Sequence, residues 1–219
     1  MKLLGNLTPV MLLAALALLP ARGGTLLLSV EPVLATPGST GDNFDVLIQN
    51  QTAGTVDISG FSFEVDTVNT AVTFTGTTFN TVTGTYIFAG NSLFGPNLNL
   101  NAPGQAMDGE DLAAAPGSFT ALAPNEILAL GNVSFDVAGN AVPGSTAAVT
   151  INSAPALTSI TDNNGDSLAF SLLSGSVTIV PEPGTFWGAG LALVVWMRWL
   201  ASARRRRTTS RCDGGNWAS

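Results

Sequence analysis

Carboxylates are the only side chains in the middle of this 219-residue chain that could carry out acid–base or metal chemistry. Of the 15 aspartates and glutamates, all except Asp213 lie between Gly24 and Met197, and this stretch has no lysine, arginine or histidine. Two carboxylates roughly 5–10 Å apart across a cleft can hydrolyse a glycosidic bond. Such sites also hold sugar rings against aromatic residues, but Tyr86 is the only tyrosine and no tryptophan precedes Trp187. A carboxylate glycosidase is therefore the least favoured function.

Two short acidic runs offer the oxygen ligands that Ca²⁺ prefers. The candidate ligands are Asp108, Glu110 and Asp111 in the first run and Asp162, Asn164 and Asp166 in the second. The second run has the spacing of the start of an EF-hand loop, but Ser171 stands where that loop requires a bidentate Glu. Each run also has a structural alternative. The first could cap a short helix, and the second suits a hairpin turn because Asn and Gly tolerate positive φ. Calcium is the one candidate cofactor, and otherwise none is expected.

The remaining inventory excludes most other chemistry. A Ser-His-Asp triad needs His, and a Schiff base or Ser-Lys dyad needs Lys, and the middle of the chain has neither. The single cysteine, Cys212, can form neither an intrachain disulfide nor a Cys/His zinc site. A stretch with a formal charge of about −14 cannot bind the phosphates of nucleic acid, which need Lys or Arg. We therefore expect a non-enzymatic protein that does not bind nucleic acid.

The elements that position these residues are expected to be short β-strands. Apolar and polar residues alternate in runs separated by Gly, Asn and Pro at intervals of roughly 8–12 residues, which is typical of an antiparallel sandwich. The predicted strands are Leu26–Glu31, Asn43–Asn50, Gly60–Asp66, Ala71–Thr75, Tyr86–Ala89, Ile127–Leu130, Asn132–Val137, Ala147–Ile151, Leu168–Leu172 and Ser176–Val180. The segment 97–124 is predicted to be a long loop with one helical turn over 109–114. The fold class is therefore all-β.

The N-terminus has the layout of a secretory signal peptide. Lys2 precedes an apolar run over Val10–Leu19, and Pro20 ends it. Ala21 and Gly23 are small residues spaced like positions −3 and −1 of a cleavage site. The pattern predicts that residues 1–23 form a signal helix that is removed after export.

The C-terminus predicts a single transmembrane helix. The 20 residues from Gly184 to Ala203 are mostly apolar, and as a helix they would span about 30 Å, the thickness of one hydrocarbon core. Arg198 lies near the end of this run, where a long side chain can reach the headgroups. The positive-inside rule places the four arginines over 204–207 in the cytoplasm, so the middle of the chain would lie on the other side of the membrane.

The joint before this helix resembles the PEP-CTERM sorting signal of Gram-negative bacteria. The matching residues are Pro181, Glu182, Pro183, Gly184 and Thr185, and Arg204, Arg205, Arg206 and Arg207 form the closing basic cluster. The resemblance implies recognition and cleavage near the motif by an exosortase, a membrane-embedded processing enzyme. It also implies association with the cell surface or exopolysaccharide. Members of that family usually end just after the arginines, whereas residues 208–219 follow here.

The middle of the chain resembles the cohesin-like sandwich, a jelly roll that often precedes such a tail. The resemblance rests on the order of four pieces, Asp42–Asn50, Gly60–Asp66, Leu130–Val137 and the closing DNNGDSLAFSLLSGSVTIV over 162–180. It implies an antiparallel jelly-roll or Greek-key architecture and a binding or scaffold role. It supplies no catalytic residues.

These observations predict a signal peptide over 1–23, an acidic β-sandwich over 24–179, a sorting signal over 180–207 and a short polar tail over 208–219. The expected protein is exported and non-enzymatic, with a structural or adhesive role at the cell surface or in the exopolysaccharide matrix. The alternative is a cohesin-like module that binds a protein partner or a glycan. The expected partners are an exosortase-type enzyme, the inner membrane as a transient anchor, and extracellular polysaccharide or a surface protein. The sandwich would first lie on the periplasmic side and then at the surface of a Gram-negative cell.

Overall fold

A computed structural model describes residues 25–94, 104–115 and 117–182, and within them the predicted all-β sandwich is confirmed. The strands are β1 Leu26–Val30, β2 Val33–Ala35, β3 Asp42–Asn50, β4 Val56–Ile58, β5 Gly60–Asp66, β6 Val72–Thr78, β7 Ala106–Leu112, β8 Thr120–Leu122, β9 Ile127–Val137, β10 Thr146–Ile151, β11 Ser159–Thr161, β12 Phe170–Leu173 and β13 Gly175–Ile179. None of the described residues belongs to a helix long and apolar enough to cross a bilayer. The predicted signal helix and transmembrane helix lie outside the described residues.

Two sheets enclose one hydrophobic core. The first sheet has the order β12-β1-β3-β9-β6, and the second has the order β11-β5-β10-β13-β2 with β7 on the other edge of β5. Strands β4 and β8 form a separate pair. Neighbouring strands are antiparallel, except that β1 pairs with β12 and β2 with β13 in parallel. The first and last strands therefore run side by side through both sheets.

The N-terminal strand changes sheet at Glu31 and Pro32. Pro32 has no N–H to donate, so the ladder of the first sheet cannot continue through it. The chain resumes as β2 in the second sheet, and beside this crossover, near the end of the sequence, Ser174 separates β12 from β13 in the same way. These two changes of sheet close the sandwich along one side.

Aromatic rings fill the core between β5 and the loop that follows β6. The clustered rings are Phe61, Phe63, Phe79, Tyr86 and Phe88. Phe79 and Tyr86 stack with their centroids 4.6 Å apart, and Phe61 stacks on Phe88 at 5.8 Å. Each such pair contributes about 0.5–1.5 kcal/mol beyond the area that it buries. Phe79, Tyr86 and Phe88 of this loop thus belong to the core.

The prediction for 97–124 was wrong in its described part. Residues 106–112 form strand β7, which pairs with β5 over seven residues from Gly60↔Leu112 to Asp66↔Ala106. No helical turn forms over 109–114. The inward positions of β7 are Met107, Gly109 and Asp111, so two of them lack the apolar side chains by which alternation is recognised. Strand β8 also lies within this segment.

The prediction of a strand over Tyr86–Ala89 was also wrong. Tyr86 makes a single bridge to Ala129, and residues 87–90 turn, with the Ala89 N–H donating to the Tyr86 carbonyl at 3.1 Å. The residues are apolar because they join the aromatic cluster, not because they extend a sheet. Strands β2, β4, β8 and β11 were not predicted, because three residues are too few to show the alternation of apolar and polar side chains.

Candidate partner-binding surface

Strands β5 and β7 place four carboxylates on the outer surface of the second sheet. Their pairing sets Ser62 opposite Glu110 and Glu64 opposite Asp108. Alternate residues of β5 point into the core, so the remaining ones face outward. We call Glu64, Asp66, Asp108 and Glu110 the acidic face.

The acidic face is half-exposed except at Glu64, of which 8% is exposed. The segment 152–158 covers Glu64 where it leaves the sheet between β10 and β11. The Asn152 side-chain amide donates to Glu64 Oε1 at 2.7 Å, and the Asn152 N–H donates to the Glu64 carbonyl at 2.9 Å. Thr158 Oγ1 accepts from the Glu64 N–H at 3.3 Å. Glu64 is therefore held in place, whereas Asp66, Asp108 and Glu110 are partly exposed, with one oxygen of Asp108, Oδ1, buried.

The acidic face concentrates negative charge. Glu64 and Asp108 lie directly opposite each other, an arrangement that is unfavourable for like charges in a sheet. Burial raises the pKa of Asp66, the charge of Glu64 raises this pKa further, and the hydrogen bond from Asn152 lowers it. The described residues contain no Lys, Arg or His. This surface can therefore attract a cationic group of another molecule.

Asp111 lies on the opposite side of β7 and is fully buried. Its carboxylate accepts hydrogen bonds from the Tyr86 hydroxyl at 2.5 Å, from the Leu112 N–H at 2.8 Å and from the Phe94 N–H at 3.1 Å. Burial of Tyr86 and its hydrogen bond to the charged Asp111 both raise the pKa of the phenol. Asp111 therefore ties the part of the loop around Tyr86 and Phe94 to β7.

A cavity of about 230 Å³ opens beside this carboxylate. Its lining includes Phe61, Phe94, Glu110, Asp111 and Leu112. Phe94 and Leu112 are 48% and 43% exposed, so the mouth of the cavity is apolar and adjoins the acidic face at Glu110. The Asp111 oxygens already accept three hydrogen bonds, which leaves this carboxylate poorly suited to acid–base catalysis.

Asp45 is a second buried carboxylate that sequence reasoning missed. Phe44, Val46 and Ile48 of β3 face the core, so Asp45 between them faces outward, but the turn over 82–84 covers it completely. Its Oδ2 accepts from the N–H groups of Val82 at 2.9 Å, Thr83 at 2.6 Å and Gly84 at 3.3 Å. Its Oδ1 accepts from the side-chain amide of Asn132 at 2.7 Å. Nothing in the local sequence of β3 marks Asp45, because its partners lie more than 35 positions away.

The calcium ligands predicted in the first run do not converge. Asp108 and Glu110 face outward from β7, whereas Asp111 faces the core. Within the described residues no group of three or more carboxylates is arranged to hold a metal ion.

The second run forms the hairpin turn that its sequence suggested. Asp162 Oδ1 accepts from the N–H groups of Asn164 at 2.8 Å and Asp166 at 2.9 Å, and Gly165 has φ 83°. These hydrogen bonds, with that from Asp166 the strongest, lower the pKa of Asp162. The Asp162 carboxylate, which would be the first ligand of a calcium loop, thus already accepts hydrogen bonds from the backbone of its own turn.

The residues that predict a sorting motif begin at Pro181, two positions after the end of β13 and directly after Val180. The Val180 N–H donates to the Ala35 carbonyl at 2.8 Å. Pro181 and Glu182 follow, both exposed and outside any strand. Pro183, Gly184, Thr185 and Arg204–Arg207 lie outside the described residues.

Comparison with known proteins relates this fold to cohesins. No protein-family model matches the sequence, and no curated protein matches it. Among solved structures, the sandwich is similar to CaCohA2 of Clostridium acetobutylicum in a complex with CaDoc0917, with a TM-score of 0.53 and 16% identity over 71% of this chain and 100% of that chain.

Two further cohesins superpose in the same way. The sixth cohesin of scaffoldin B from Acetivibrio cellulolyticus, in complex with a Cel5 dockerin mutant, gives a TM-score of 0.52 and 17% identity over 71% of this chain and 99% of that chain. The seventh ScaB type I cohesin from Pseudobacteroides cellulosolvens gives 0.52 and 12% over 72% of this chain and 94% of that chain. The described strands therefore form a cohesin-like sandwich, as the sequence resemblance implied.

Proposed function

We propose that this protein is a non-enzymatic module that binds a protein partner. The observation that carries the proposal is the likeness of the sandwich to almost the whole length of cohesins, one of which is in complex with a dockerin. From the sequence, a structural or adhesive role was the leading prediction, and a module that binds a protein partner or a glycan was the alternative. The fold favours protein binding as the more specific function.

The acidic face is the proposed contact surface. The centre of the opposite sheet is closed by the turn over 82–84, which covers Asp45. On the second sheet Glu110 lines the cavity beside the apolar side chains of Phe94 and Leu112, and the partly exposed Asp108 and Asp66 lie farther along the same two strands. Apolar contacts bordered by charge are typical of protein interfaces, and complementary charge speeds encounter and selects the partner. The partner is therefore expected to present Lys or Arg.

The route to that partner is a second part of the proposal. The signal-peptide pattern over 1–23 and the motif that starts at Pro181 support export followed by exosortase processing. An exposed joint directly after β13 is accessible to a processing enzyme. The protein would then act at the cell surface or in the exopolysaccharide matrix of a Gram-negative cell.

Affinity capture with matched charge variants tests the binding function. The full chain would be immobilised and exposed to envelope proteins of the producing cell, with the captured protein identified and then purified. We expect Asp108→Asn with Glu110→Gln to weaken its binding by about tenfold or more, a change of about 1.4 kcal/mol. The control Asp57→Asn with Asp166→Asn removes the same charge elsewhere and should bind like the unmodified chain. Retention of bulk polysaccharide alone, or equal loss in both variants, would refute the proposed surface.

A further inference from the structure

The body is fixed to the start of the sorting motif with little slack. The Ile179 N–H donates to the Ser145 carbonyl at 2.9 Å, the Gly144 N–H donates to the Ile179 carbonyl at 2.7 Å, and Val180 is bonded to β2. Four residue steps lead from Val180 to Gly184, where the apolar segment begins. Fully extended, they reach about 14 Å, and two of the intervening residues are prolines with fixed φ.

The end of the sandwich from which the chain leaves consists of three connected loops. We call 36–41, 67–71 and 138–144 the exit pole. The Gly38 N–H donates to the Val137 carbonyl at 3.1 Å, and the Ala138 N–H donates to the Ala71 carbonyl at 2.8 Å. Two apolar side chains project from these loops, Val68 with 96% and Val142 with 67% of its surface exposed. The exit pole is therefore the surface nearest to any membrane that holds residues 184–203.

The opposite end of the sandwich lies far from that surface. Strands β1 and β2 run from Leu26 to Ala35, which covers about 33 Å at the usual rise of a strand. Thr25 thus begins at the far end, where its carbonyl accepts from the Gln51 N–H at 3.3 Å. The turn over 51–54 belongs to this far end and is mostly exposed.

Charge opposes contact between the exit pole and an anionic bilayer. Asp42 and Asp136 lie at this pole, Glu182 follows it, and the described residues include no Lys, Arg or His. Anionic lipids attract basic segments and repel such a surface. A headgroup layer is roughly 5–7 Å thick, and the tether from Val180 to Gly184, of about 14 Å, must first cross this layer. The length that remains is only enough for the loops of the exit pole to fit between Val180 and the headgroup surface.

From these distances we infer that the exit pole rests on the lipid headgroup surface while the tail is attached, and that the body leaves the membrane once the joint is cut. The inference rests on the proposed route. The tether imposes the contact, because the pole carries no basic residues of its own that would bind lipid. The partner of this surface is thus the bilayer that holds the tail, and the contact is temporary.

Site-specific fluorescence on the full chain tests this contact. With Cys212→Ser as background, Val142→Cys would report on the exit pole and Ala53→Cys on the far end, each labelled with an environment-sensitive dye. The chain would be reconstituted in phosphatidylcholine vesicles that contain a headgroup-attached quencher. We expect at least threefold stronger quenching at position 142 than at position 53. A flexible insertion of 20 residues between Val180 and Pro181 should bring the two values together.

The outcomes separate this inference from the proposed route. Equal quenching at both positions, in chains that float with the vesicles, would overturn the contact and leave the route intact. Strong quenching at position 142 despite the insertion would show that the pole binds lipid by itself, which contradicts a tether-imposed contact. Chains that do not float with vesicles at all would overturn the route and the contact together.

Discussion

The two sides of strand β7 use the same kind of side chain in opposite ways. On the inner side Asp111 is surrounded by donors and helps to hold the loop after β6 at Tyr86 and Phe94, as Asp45 of β3 does at the turn over 82–84. On the outer side the carboxylates of the acidic face repel one another and are partly exposed to solvent. The difference shows that burial with directed N–H and O–H groups makes a carboxylate structural. A carboxylate left at a half-exposed surface remains available to a partner.

The buried carboxylates, Asp111 and Asp45, are stable without any cationic side chain nearby in sequence or in the described structure. A buried charge is unfavourable unless hydrogen bonds replace its hydration. Asp45 accepts four such bonds, three of them from consecutive backbone N–H groups of one turn. Hydrogen bonds to the charged form stabilise it in the way that an opposite charge would.

The largest predicted effect comes from removing the acceptor at Asp45. Asp45→Ala leaves three backbone N–H groups and the Asn132 amide without their acceptor, so we expect a loss of about 3 kcal/mol in the free energy of unfolding. Urea denaturation of the variant and the unmodified chain measures this. Asp166→Ala removes an exposed carboxylate as a control and should change stability by less than about 0.5 kcal/mol. Equal effects at the two positions would contradict the distinction between buried, hydrogen-bonded carboxylates and exposed ones.

A smaller effect is predicted for Gly109→Ala, which tests the placement of β7. A Cβ atom at Gly109 would lie 2.6 Å from Phe63 Cζ and 3.0 Å from Thr77 Cγ2. Overpacking of this kind costs about 2 kcal/mol, measurable as a lower urea midpoint with an unchanged slope. Gly54→Ala is the matched control, because nothing lies within 4 Å of its Cβ position. A stable Gly109→Ala variant would argue that β7 does not pack against Phe63.

Tyr86→Phe is expected to lower the free energy of unfolding by less than the two preceding substitutions, and it tests the hydrogen bonds on the inner side of β7. The substitution keeps the ring in its stack with Phe79 and removes one hydrogen bond to the buried Asp111 carboxylate. We expect a loss of about 1.5 kcal/mol, the usual value for a hydrogen bond to a charged group. Thermal unfolding followed by circular dichroism gives the change. A variant as stable as the unmodified chain would show that the hydroxyl does not stabilise Asp111.

The smallest effect is predicted on the outer side of the sheet, at Asp66. It is a gain in the free energy of unfolding, whereas the three preceding substitutions are expected to lower it. Its pKa is raised in the folded chain, so between the unfolded and folded pKa values the folded state binds more protons. The unfolding free energy therefore falls as the pH rises through this range, and Asp66 destabilises the fold at neutral pH.

Asp66→Asn should accordingly stabilise the chain at pH 7 by about 0.5 kcal/mol or less, and the difference should vanish as the pH falls below the unfolded pKa, near 4. Urea midpoints at a series of pH values test both statements. A variant less stable than the unmodified chain at neutral pH would show that the charge on Asp66 is used within the fold. Weaker partner binding by this more stable variant would separate the function of the acidic face from its stability.

The sequence predicted those parts of the fold in which local pattern and tertiary packing agree. Phe44, Val46 and Ile48 alternate in β3 and are all buried, and the DNNGD turn over 162–166 forms where its Asn and Gly residues permit. Strand β7 was missed because Gly109 and Asp111 occupy its inward positions. Gly109 is required by the ring of Phe63, and Asp111 is required by Tyr86, so each is explained by a partner that is distant in sequence.

The candidate site was less predictable than the fold. The first acidic run was visible in the sequence, but its division between two sides of a strand depends on the pairing with β5. Glu64 and Asp66, which complete the acidic face, come from a segment recognised only as a strand. The turn that covers Asp45 could not be located at all, since it depends on contacts across the first sheet. The sorting motif remains a prediction from sequence.

The parallel pairing of the first and last strands has a consequence for the order of folding. Strands β1 and β2 each need a neighbour that is made about 145 residues later, Phe170–Leu173 for one and Gly175–Ile179 for the other. During synthesis, or passage through a membrane with the N-terminus first, the opening strands must wait with an unpaired edge until nearly all of the body has emerged. Pairings of such long range form slowly, and an unpaired edge invites aggregation. The body is therefore expected to depend on being kept unfolded until its final strand arrives.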